Sequence, residues 1–433
     1  MRITMLTTGT RGDVQPYVAL GVGLQRAGHH VRVPAPELFR GLITESGLDF
    51  RPIRLELNGV EIQSPQELLH LPEVHAAMQG GKRIRLFGLL AFARFVKRHM
   101  ADYVAAYFDA CWASSEDADL LIASTVSSGG PDFAEKLGIP CISAAIQPVT
   151  PTCAFPSPLL APRDVRLNHA VNRLTYHVLR MFSWLMQGKP TNKWRREMGL
   201  APHSSLSYWR QVQAQTTIYG FSPSVLPTPA DWPPNHHVTG YWFSDEPTGW
   251  QPPAHLVRFL ENGPPPVYVG FGSMPGDDMM RVARVVLEAL RLSNQRGVLL
   301  SGWGELSGSL SLPETTCSLE TVPHSWLFPR MRAVVHHGGM GTTAAGLRAG
   351  IPSVIIPAGA DQPFWAQRVE QLGVGVHCAS FSKVTADQLA AALREVTTDT
   401  ALRQRAAALG ERISAEDGVG QAVAVIQNCL RER

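Results

Sequence analysis

The sequence alternates short apolar runs with helix-like stretches, and this alternation occurs in each half of the chain. In the first half, residues 14–27 repeat apolar side chains at helical spacing and are followed by Gly28, a residue type that often ends helices. Apolar runs that predict strands lie at 3–8, 30–33, 120–124 and 140–145. A strand, a helix and another strand in this order predict a parallel sheet, because the helix carries the chain back to the same edge.

The second half repeats the pattern. Strands are predicted at 267–270, 297–300, 333–336 and 353–356, and helices at 281–292, 342–349 and 366–372. A stretch rich in proline at 244–253 suits an exposed connection between the two halves. The sequence therefore predicts an α/β protein of two Rossmann-like domains that face each other across a cleft.

The predicted division of the chain has four parts. They are an N-terminal domain at 1–240, a linker at 241–256, a C-terminal domain at 257–412 and a final helix at 413–433. Helical patterns at 386–396 and 401–430 are longer than one domain needs. We therefore expect the final helix to cross back to the N-terminal domain and hold the two lobes together.

Composition narrows the class of protein. The 433 residues are 45% hydrophobic and 17% charged, and a net charge of +3 gives no reason to expect nucleic acid as a partner. The six cysteines are scattered, without the paired spacing of a zinc site, which favours a reducing cytosol and no structural metal. Because no apolar run reaches about 18 residues and the first residues lack a signal-peptide core, a soluble cytoplasmic protein is predicted.

One segment, 82–99, interleaves lysine and arginine with leucine and phenylalanine. This pattern is typical of an amphipathic helix that packs its apolar face on the domain. The alternative is contact with an apolar ligand or a membrane surface, which would be peripheral.

The run Val-His-His-Gly-Gly-Met-Gly-Thr-Thr at 335–343 joins a predicted strand to a predicted helix. Backbone amides at a helix N-terminus attract phosphate, and Thr342 and Thr343 are predicted to cap this helix and to bond a diphosphate. His337 either belongs to this phosphate-binding turn or is a satisfied core histidine. His336 is interpreted as a side chain that fills the strand end. The helix dipole would stand in for a metal ion.

Two further elements point to the same ligand. Asp361 and Gln362 offer acceptors and donors for sugar hydroxyls, although an Asp before Gln-Pro could also be an ordinary loop turn. The predicted strand 267–270 runs into Gly-Phe-Gly-Ser, in which Gly272 and Ser273 could meet a diphosphate or simply form a strand-to-helix turn. Together these elements suggest a nucleotide-sugar site.

The turn after the first strand reads Gly-Thr-Arg-Gly-Asp-Val-Gln-Pro at 9–16. Gly12 and its neighbours form a tight turn, and Asp13 opens the predicted helix at the carboxyl edge of the sheet. Asp13 is either a helix N-cap or a carboxylate whose pKa is raised in an apolar cleft, where it could remove a proton from a hydroxyl.

Four sequence motifs, in the same order along the chain, resemble those of one protein family. The chain is similar over essentially its whole length to the family 1 glycosyltransferases of the GT-B fold, and within them to the sterol glucosyltransferases. The antibiotic glycosyltransferases of actinomycetes are a near second. The matching runs lie at 9–16, 323–330, 336–339 and 361–365.

The resemblance implies an inverting, metal-independent transferase without a cofactor. It would move a hexose, glucose from UDP-glucose above all, to a bulky lipophilic alcohol such as a sterol or triterpenoid in the bacterial cytoplasm. The alternative is a polyketide acceptor with a dTDP- or UDP-sugar. Asp13 would be the general base. The donor contacts implied by the motifs are Gly12, Gly272, Ser273, His337, Gly339, Gly341, Thr342, Thr343, Asp361 and Gln362.

The nucleobase pocket departs from part of the family. Plant members place a tryptophan before Pro-Gln to stack the uracil, whereas this chain has Thr-Val-Pro-His at 321–324. Stacking could fall to Trp303, with the backbone of Val322 at the base edge, or Trp303 could simply pack in the fold. Met340 stands where relatives usually have a small residue. We also expect no N-terminal targeting region like that of the fungal sterol enzymes, which would argue against a sterol as the native acceptor.

Other classes fit less well. A nicotinamide-dependent oxidoreductase would need a different glycine spacing from Gly9 and Gly12, and an acid at the end of the second strand. A nucleotide-sugar epimerase of the same fold and a catalytically silent binding partner also remain as alternatives. The expected partners are a nucleotide sugar and a hydrophobic small molecule, and the expected state is a monomer or homodimer.

Overall fold

Two all-parallel sheets organise the chain in a computed structural model. The structure describes residues 1–54, 56–57, 60–61, 105–125, 129–160, 167–244, 249–272, 277–300 and 312–431. Each sheet belongs to one half of the chain, and every strand pair within the two sheets is parallel. The predicted α/β class with two Rossmann-like domains is confirmed.

The first sheet is built from the N-terminal half. Its strands are β1 (Arg2–Leu6), β2 (His30–Ala35), β3 (Asp49–Pro52), β6 (Leu120–Ser124), β7 (Cys141–Ala145), β8 (Thr217–Tyr219) and β9 (His236–Val238), while β4 (Glu56–Leu57) and β5 (Val60–Glu61) form a separate antiparallel pair. The order across the sheet is β3-β2-β1-β6-β7-β8-β9. Residues 3–6 of β1 are all buried, as expected for a parallel strand with helices on both faces.

Helices flank this sheet. They are α1 (Arg11–Arg26), α2 (Arg40–Thr44), α3 (Gly130–Leu137), α4 (His169–Glu197) and α5 (Ser205–Ala214), together with helical residues at 105–113. The inner face of α4 buries Tyr176 and Trp194, and Arg195 beside them pairs with Asp132 and Glu135 of α3. The other face of α4 contains several exposed apolar side chains.

The second sheet is built from the C-terminal half. Its strands are β10 (Val267–Gly270), β11 (Gly297–Leu300), β12 (Thr316–Leu319), β13 (Ala333–His336), β14 (Ser353–Ile355) and β15 (Gly375–His377). The order across the sheet is β12-β11-β10-β13-β14-β15. β10, β11 and β13 have the bounds that the apolar runs predict, because such runs are fully buried in a parallel sheet.

The C-terminal half also contains helices, which alternate with its strands and continue after the last one. They are α6 (Ala254–Glu261), α7 (Asp277–Leu292), α8 (His324–Leu327), α9 (Met340–Arg348), α10 (Gln362–Gln371), α11 (Ala386–Thr398), α12 (Thr400–Ser414) and α13 (Gly418–Arg431). None of the helices in the described ranges is long and apolar enough to cross a membrane.

The helical stretch predicted at 401–430 is divided in the structure, because the chain breaks between α12 and α13, and the final helix begins at Gly418 rather than at 413. At the break, Glu416 accepts hydrogen bonds from the hydroxyls of Ser222 and Ser224 in the N-terminal half, at 2.7 and 2.9 Å. Asp417 then accepts a bond from the amide of Gly420 and so satisfies the first turn of α13. The hydrogen bonds of Glu416 and Asp417 thus compete with the backbone hydrogen bonds that a continuous helix would need here.

The last helix lies on the first one. A Cβ atom placed on Gly23 of α1 would lie 2.3 Å from Cγ1 of Val419, so a side chain at this position would collide with α13. Further along, Sγ of Cys429 donates to Oγ1 of Thr216, next to β8. Ala422 and Ile426 of α13 belong to the same apolar cluster as the core of α1.

Candidate active site

Both sheets reverse their strand order beside their first strand. β1 lies between β2 and β6, and β10 lies between β11 and β13. In open parallel sheets, ligands bind at the carboxyl ends of the strands where the order reverses. The turns that follow β1, β10 and β13 therefore mark the candidate site, and these turns contain most of the predicted residues.

Asp13 follows β1 as the third residue of α1. The helix begins at Arg11, three residues before the predicted start, because Thr10 is its N-cap and Asp13 completes a capping box. The amide and the hydroxyl of Thr10 each donate to Oδ2 of Asp13 over 2.8 Å. The interpretation of Asp13 as the N-cap itself is wrong.

The surroundings of Asp13 leave one carboxylate oxygen available. Within the described part of the chain, no group donates a hydrogen bond to Oδ1 of Asp13. Burial raises the pKa of Asp13, and the two bonds from Thr10 oppose that rise without cancelling it. A partly buried carboxylate with a raised pKa is suited to accept a proton from a hydroxyl.

Gly9 and Gly12, the two glycines of this turn, differ in the space around them. Gly9 has φ of +122°, and a Cβ there would lie 2.5 Å from Oδ2 of Asp13, so only glycine fits. Gly12 is exposed, and a Cβ there would meet nothing closer than Oγ1 of Thr10 at 3.7 Å. The space beside Gly12 is therefore open to a ligand.

His336 is the last residue of β13 and His337 follows it, and the two side chains have different surroundings. His336 is fully buried, and its Nδ1 accepts a hydrogen bond from the amide of Gly338 at 3.1 Å. Burial lowers the pKa of His337 to about 4, so its imidazole is neutral at pH 7. Nδ1 of His337 is buried and has no partner among the described residues. A neutral imidazole with one free nitrogen can donate a hydrogen bond to an oxyanion.

Gly272 and Gly339 bring backbone against the ring of His337. A Cβ on Gly339 would lie 2.5 Å from Nε2 of His337, and one on Gly272 would lie 3.7 Å from Cε1. Gly272 has φ of +67°, a conformation that favours glycine. The turn after β10 and the turn after β13 thus meet at one imidazole.

The N-terminus of α9 has a backbone N-cap and no side-chain cap. Gly339 is the N-cap and Met340 is the first helical residue, so the prediction that Thr342 and Thr343 cap the helix is wrong. The hydroxyl of Thr343 donates to the carbonyl of Gly339 at 2.9 Å, and Thr343 is 1% exposed. A ligand could contact that hydroxyl only after this bond is broken. Among the described residues, no side chain caps the first amides of α9, an arrangement that suits an anion.

Gly341 and Thr342 lie on the open side of α9. Gly341 is exposed, and a Cβ placed on it would meet no atom within 4 Å. Thr342 is partly buried. Of the four predicted residues at this end of α9, Thr343 is therefore the one that a ligand cannot reach without rearrangement, whereas Gly339, Gly341 and Thr342 are at least partly exposed.

Asp361 lies at the start of α10. Its Oδ2 accepts a hydrogen bond from Nε1 of Trp365 at 3.0 Å, which fixes the orientation of the carboxylate. Burial raises the pKa of Asp361, and the nearby charge of Asp13 raises it further. The side chain of Gln147, which follows β7, also hydrogen-bonds Asp361 and lowers this pKa.

The side chain of Gln362 has a fixed orientation. Its Oε1 accepts hydrogen bonds from the amides of Ala358 and Gly359, at 2.8 and 3.1 Å. The amide nitrogen of Gln362 is therefore the end that can serve a ligand, as a donor. Ala360, between these groups, has φ of +51°, a conformation that costs a non-glycine residue about 1–3 kcal/mol. The loop before Asp361 is thus held in a strained shape.

Contacts across the cleft join the two halves of the site. Phe155 of the N-terminal half packs on Phe364 of α10, with ring centres 5.6 Å apart. Gln147 reaches Asp361, as described above, and the charge of Arg11 acts on His324 of α8. The turn after β1 therefore faces the turns of the second sheet across a narrow gap.

Two residues in this gap, Gln147 and His324, were not among the predicted site residues. Gln147 sits in a loop without a motif, and only the sheet order places it beside Asp361. His324 stacks on Phe328 with ring centres 4.4 Å apart, and shares a hydrogen bond with the hydroxyl of Tyr268. His324 belongs to the Pro-His-Ser-Trp run, which could have suggested it.

The predicted nucleobase contacts are only partly placed. Val322 is buried just before α8. Ser273 and Trp303 lie outside the described residues, as do 62–104, which include the predicted amphipathic segment.

One group of side chains outside the cleft has metal-ligand character. Asp132, Glu135 and His203 have ligand atoms within 4.8 Å of one another. Arg195 already binds both carboxylates of this group, at 2.6 and 2.9 Å. We interpret the group as a structural ion-pair network, because a guanidinium occupies the position of a cation.

Two known domain families match separate stretches of the chain. Residues 3–156 match the glycosyltransferase family 28 N-terminal domain, and residues 298–428 match the erythromycin biosynthesis protein CIII-like C-terminal domain. The first stretch contains Asp13, and the second contains His337 and Asp361.

Similarity to whole proteins extends over the chain. It is 35% identical over 440 residues to the O-mycaminosyltylonolide 6-deoxyallosyltransferase of Streptomyces fradiae, covering 100% of this chain and 98% of that protein. It is 36% identical over 436 residues to the sterol 3-beta-glucosyltransferase of Pichia angusta, covering 99% of this chain and 33% of that protein. The chain thus spans about a third of the length of the sterol glucosyltransferases that it matches.

Solved structures share the architecture. The glycosyltransferase SnogD from Streptomyces nogalater aligns with a TM-score of 0.66 at 20% identity, covering 99% of this chain and 100% of that one. The glycosyltransferase VinC, solved in complex with dTDP, aligns with a TM-score of 0.64 at 19% identity, covering 100% of both chains. These likenesses establish the GT-B fold. The chain belongs to the family 1 glycosyltransferases.

Proposed function

We propose that this protein transfers a hexose from a nucleoside diphosphate sugar, UDP-glucose foremost, to a hydroxyl of a bulky lipophilic acceptor. The proposal rests on one observation: Asp13 of the N-terminal half and Asp361 of the C-terminal half lie close enough for their charges to interact. A proton acceptor and a sugar-binding candidate therefore face one another in a single cleft.

Asp13 acts as the general base. As the acceptor oxygen attacks the anomeric carbon, its proton passes to Oδ1 of Asp13, the oxygen that Thr10 does not occupy. A new bond forms between the acceptor oxygen and the anomeric carbon, and the bond from that carbon to the diphosphate breaks. Attack comes from the face opposite the diphosphate, so the product has the inverted configuration.

The turns of the second sheet stabilise the departing diphosphate. The neutral imidazole of His337 donates to a phosphate oxygen, while the first amides of α9 and its dipole attract the negative charge. Gly341 and Thr342 lie beside these amides. Because these donors are already oriented, we propose that transfer needs no metal ion. Activity that persists in excess EDTA would agree with this step, and loss that Mg²⁺ restores would contradict it.

Asp361 and Gln362 hold the sugar. The carboxylate of Asp361 accepts from sugar hydroxyls while Trp365 keeps it oriented. The amide nitrogen of Gln362 donates to a neighbouring hydroxyl, because its oxygen is bound to the loop at 358–359. One acceptor and one donor at fixed positions favour one arrangement of hydroxyls over its epimers.

A second candidate is the transfer of a sugar from a dTDP donor to a macrolide-type aglycone. The specific observation in its favour is the 35% identity to a 6-deoxyallosyltransferase of which this chain covers 98%. VinC, one of the proteins with the same fold, has dTDP bound in its solved structure. Both candidates use the same base, phosphate site and sugar site, and they differ in nucleotide and acceptor.

One experiment separates these candidates. The purified protein is incubated with UDP- and dTDP-sugars against sterols, triterpenoids, flavonoids and macrolides, and products are detected by mass spectrometry. We expect product with a UDP-hexose and a lipophilic alcohol, and proton coupling constants measured by NMR should show a β-linkage from an α-donor. An α-linked product would contradict inversion, and product only with dTDP donors and macrolides would favour the second candidate.

The same assay tests the other classes. A nucleotide-sugar epimerase or hydrolase would consume donor without an acceptor, and a silent binding partner would consume none. We expect donor consumption to depend on the acceptor, because Asp13 needs an acceptor hydroxyl from which to take a proton.

A further inference from the structure

The outer face of α4 contains an apolar stripe that the fold does not cover among the described residues. Leu174, Val178, Met181, Phe182 and Leu185 recur at helical spacing, and all five are exposed. Leu174 is 55% exposed, Met181 60% and Leu185 65%. Single exposed apolar residues are ordinary, but a contiguous stripe over about three helical turns marks an interaction surface.

The same face becomes basic toward the end of the helix. Lys189, Lys193 and Arg196 continue the spacing of the stripe, and all three are exposed. Glu197 is the only acidic residue of α4, at its last position. It lies 3.9 Å from Lys193 in an exposed pair, and no salt bridge is recorded for Lys189 or Arg196 within the described ranges. This face is therefore apolar along its first half and positively charged along its second.

The inner face of α4, opposite the stripe, packs against the rest of the domain. Tyr176, Trp194 and Arg195 are buried on the inner side of α4, and Trp184 packs on Tyr208 of α5 with ring centres 5.2 Å apart. The helix is thus fixed by its inner face. Its outer stripe is displayed by a rigid element rather than by a mobile loop.

We infer that the outer face of α4 binds the surface of an anionic lipid bilayer. An apolar stripe continued by lysine and arginine, with almost no acid, is the pattern of a helix that lies in the membrane interface. Its basic half complements anionic headgroups, which attract each nearby lysine or arginine. The helix lies on the bilayer rather than crossing it, because none of the described helices is long and apolar enough to span one.

The position of α4 connects this surface with the cleft. The side chain of Asn172 donates to the carbonyl of Cys153, and the backbone amide of Ser157 donates to Oγ1 of Thr175 at 2.8 Å. In the same loop, Phe155 packs on Phe364, three residues beyond Asp361. Docking through α4 would place the mouth of the cleft near the bilayer, where lipophilic alcohols partition. Lipid binding itself does not depend on the proposed reaction.

The test measures binding of the full chain to vesicles, without donor or acceptor. Vesicles of phosphatidylcholine alone are compared with vesicles of equal parts phosphatidylcholine and phosphatidylglycerol in a flotation assay. We expect binding to the anionic vesicles at least about tenfold stronger than to the neutral ones, and weaker at high salt. No binding to anionic vesicles would overturn the inference.

Two paired variants locate the surface. Phe182→Ser with Leu185→Ser removes part of the stripe, and Lys189→Glu with Arg196→Glu reverses its charge. Each pair should weaken binding to anionic vesicles about tenfold or more. The matched controls are Leu38→Ser, which changes a 68% exposed leucine elsewhere, and Arg284→Glu with Lys383→Glu in the C-terminal half. All four proteins should keep the wild-type melting temperature, because the changed side chains are exposed.

Equal lipid binding by the variants and their controls would overturn the inference. So would a wild-type dimer, seen by sedimentation, that the Phe182→Ser and Leu185→Ser pair converts to a monomer while wild-type protein ignores vesicles. That result would assign the stripe to a second copy of the chain. Because catalytic turnover enters none of these readouts, a failure of the proposed reaction is distinguishable from a failure of lipid binding.

Discussion

The amide and the hydroxyl of Thr10 both donate to a single carboxylate oxygen of Asp13, each over 2.8 Å. These bonds satisfy the N-terminus of α1 and at the same time favour the ionised form of Asp13. Burial acts in the opposite direction and raises the pKa of the same group. A helix cap thus moderates the proton affinity that burial gives to the proposed base.

Replacing Thr10 by Ala should move the pH profile of the reaction. The base works in its ionised form, so the rate falls as the pH drops through the pKa of Asp13. Without the hydroxyl bond, that pKa rises, and the acidic limb of kcat/KM should shift to higher pH. Thr10→Ser should restore the wild-type profile. An acidic limb that stays in place in Thr10→Ala would contradict the role of this bond.

Asp13→Asn should lower kcat by about 10²–10⁴-fold while leaving the binding of UDP intact, because the amide cannot accept the proton. The measurements are steady-state rates and calorimetric titration with UDP. Asp399→Asn is the matched control, since Asp399 also caps a helix through its carboxylate, at α12, with no contact to the cleft. If the two variants lost activity equally, helix capping rather than base catalysis would explain Asp13.

Two alanine substitutions distinguish the roles of the glycines before and within α9. Gly339→Ala places a Cβ against Nε2 of His337, so the imidazole must move and the affinity for UDP should fall about tenfold or more. Gly341→Ala meets no protein atom and should stabilise the helix by about 0.5–1 kcal/mol. If a phosphate approaches this backbone, UDP affinity should fall in Gly341→Ala as well, despite the higher melting temperature. Unchanged affinity would exclude Gly341 from the donor site.

Asp361→Ala should lower kcat/KM for the donor by about 10–100-fold and reduce discrimination among UDP-hexoses, because a charged acceptor for the sugar hydroxyls is lost. Trp365→Phe is the control that removes only the indole bond to Asp361, and we expect a smaller loss with selectivity largely kept. Unaltered selectivity in Asp361→Ala would place the sugar elsewhere.

The buried His336 should make the fold sensitive to acid. Burial lowers the pKa of His336 to about 3, whereas an unfolded histidine titrates near pH 6.5. Between these values the unfolded chain binds a proton that the folded chain does not, so stability is complete above about pH 6.5 and falls as the pH drops. At pH 5 this one residue should cost about 2 kcal/mol.

His336→Asn tests this dependence, because its side-chain oxygen can still accept the bond from Gly338 but does not titrate. The difference in the free energy of unfolding between pH 7 and pH 5, from urea titration, should shrink by about 2 kcal/mol relative to wild type. An unchanged difference would show that His336 is not responsible. The comparison uses the pH difference, so any constant destabilisation by the smaller side chain cancels.

The most accurate predictions from the sequence concern the parts of the fold that a single physical rule determines. Buried parallel strands are continuous apolar runs, so β11 and β13 have the predicted bounds. Helix starts were less accurate. Thr10 and Gly339 are the N-caps, but the predictions relied on apolar periodicity, which begins later in the sequence than the cap.

Within the candidate site, motifs identified side chains but not their hydrogen bonds. The sequence could not show that Thr343 bonds to its own helix, or that Gln362 uses its oxygen to hold the preceding loop. Gln147 could not be found because its approach to Asp361 depends on the order of strands in two sheets and on the cleft between them. Likewise, the break before α13 depends on Glu416 reaching serines almost two hundred residues earlier.

The contact between Gly23 and Val419 has a consequence for how the protein is made. A ribosome synthesises α1 long before α13, so the apolar surface around Gly23 stays uncovered until α13 has been made. The N-terminal domain can complete its core only when α13 leaves the exit tunnel. Ribosomes that stall before α13 would therefore release chains with an open apolar patch on the N-terminal domain.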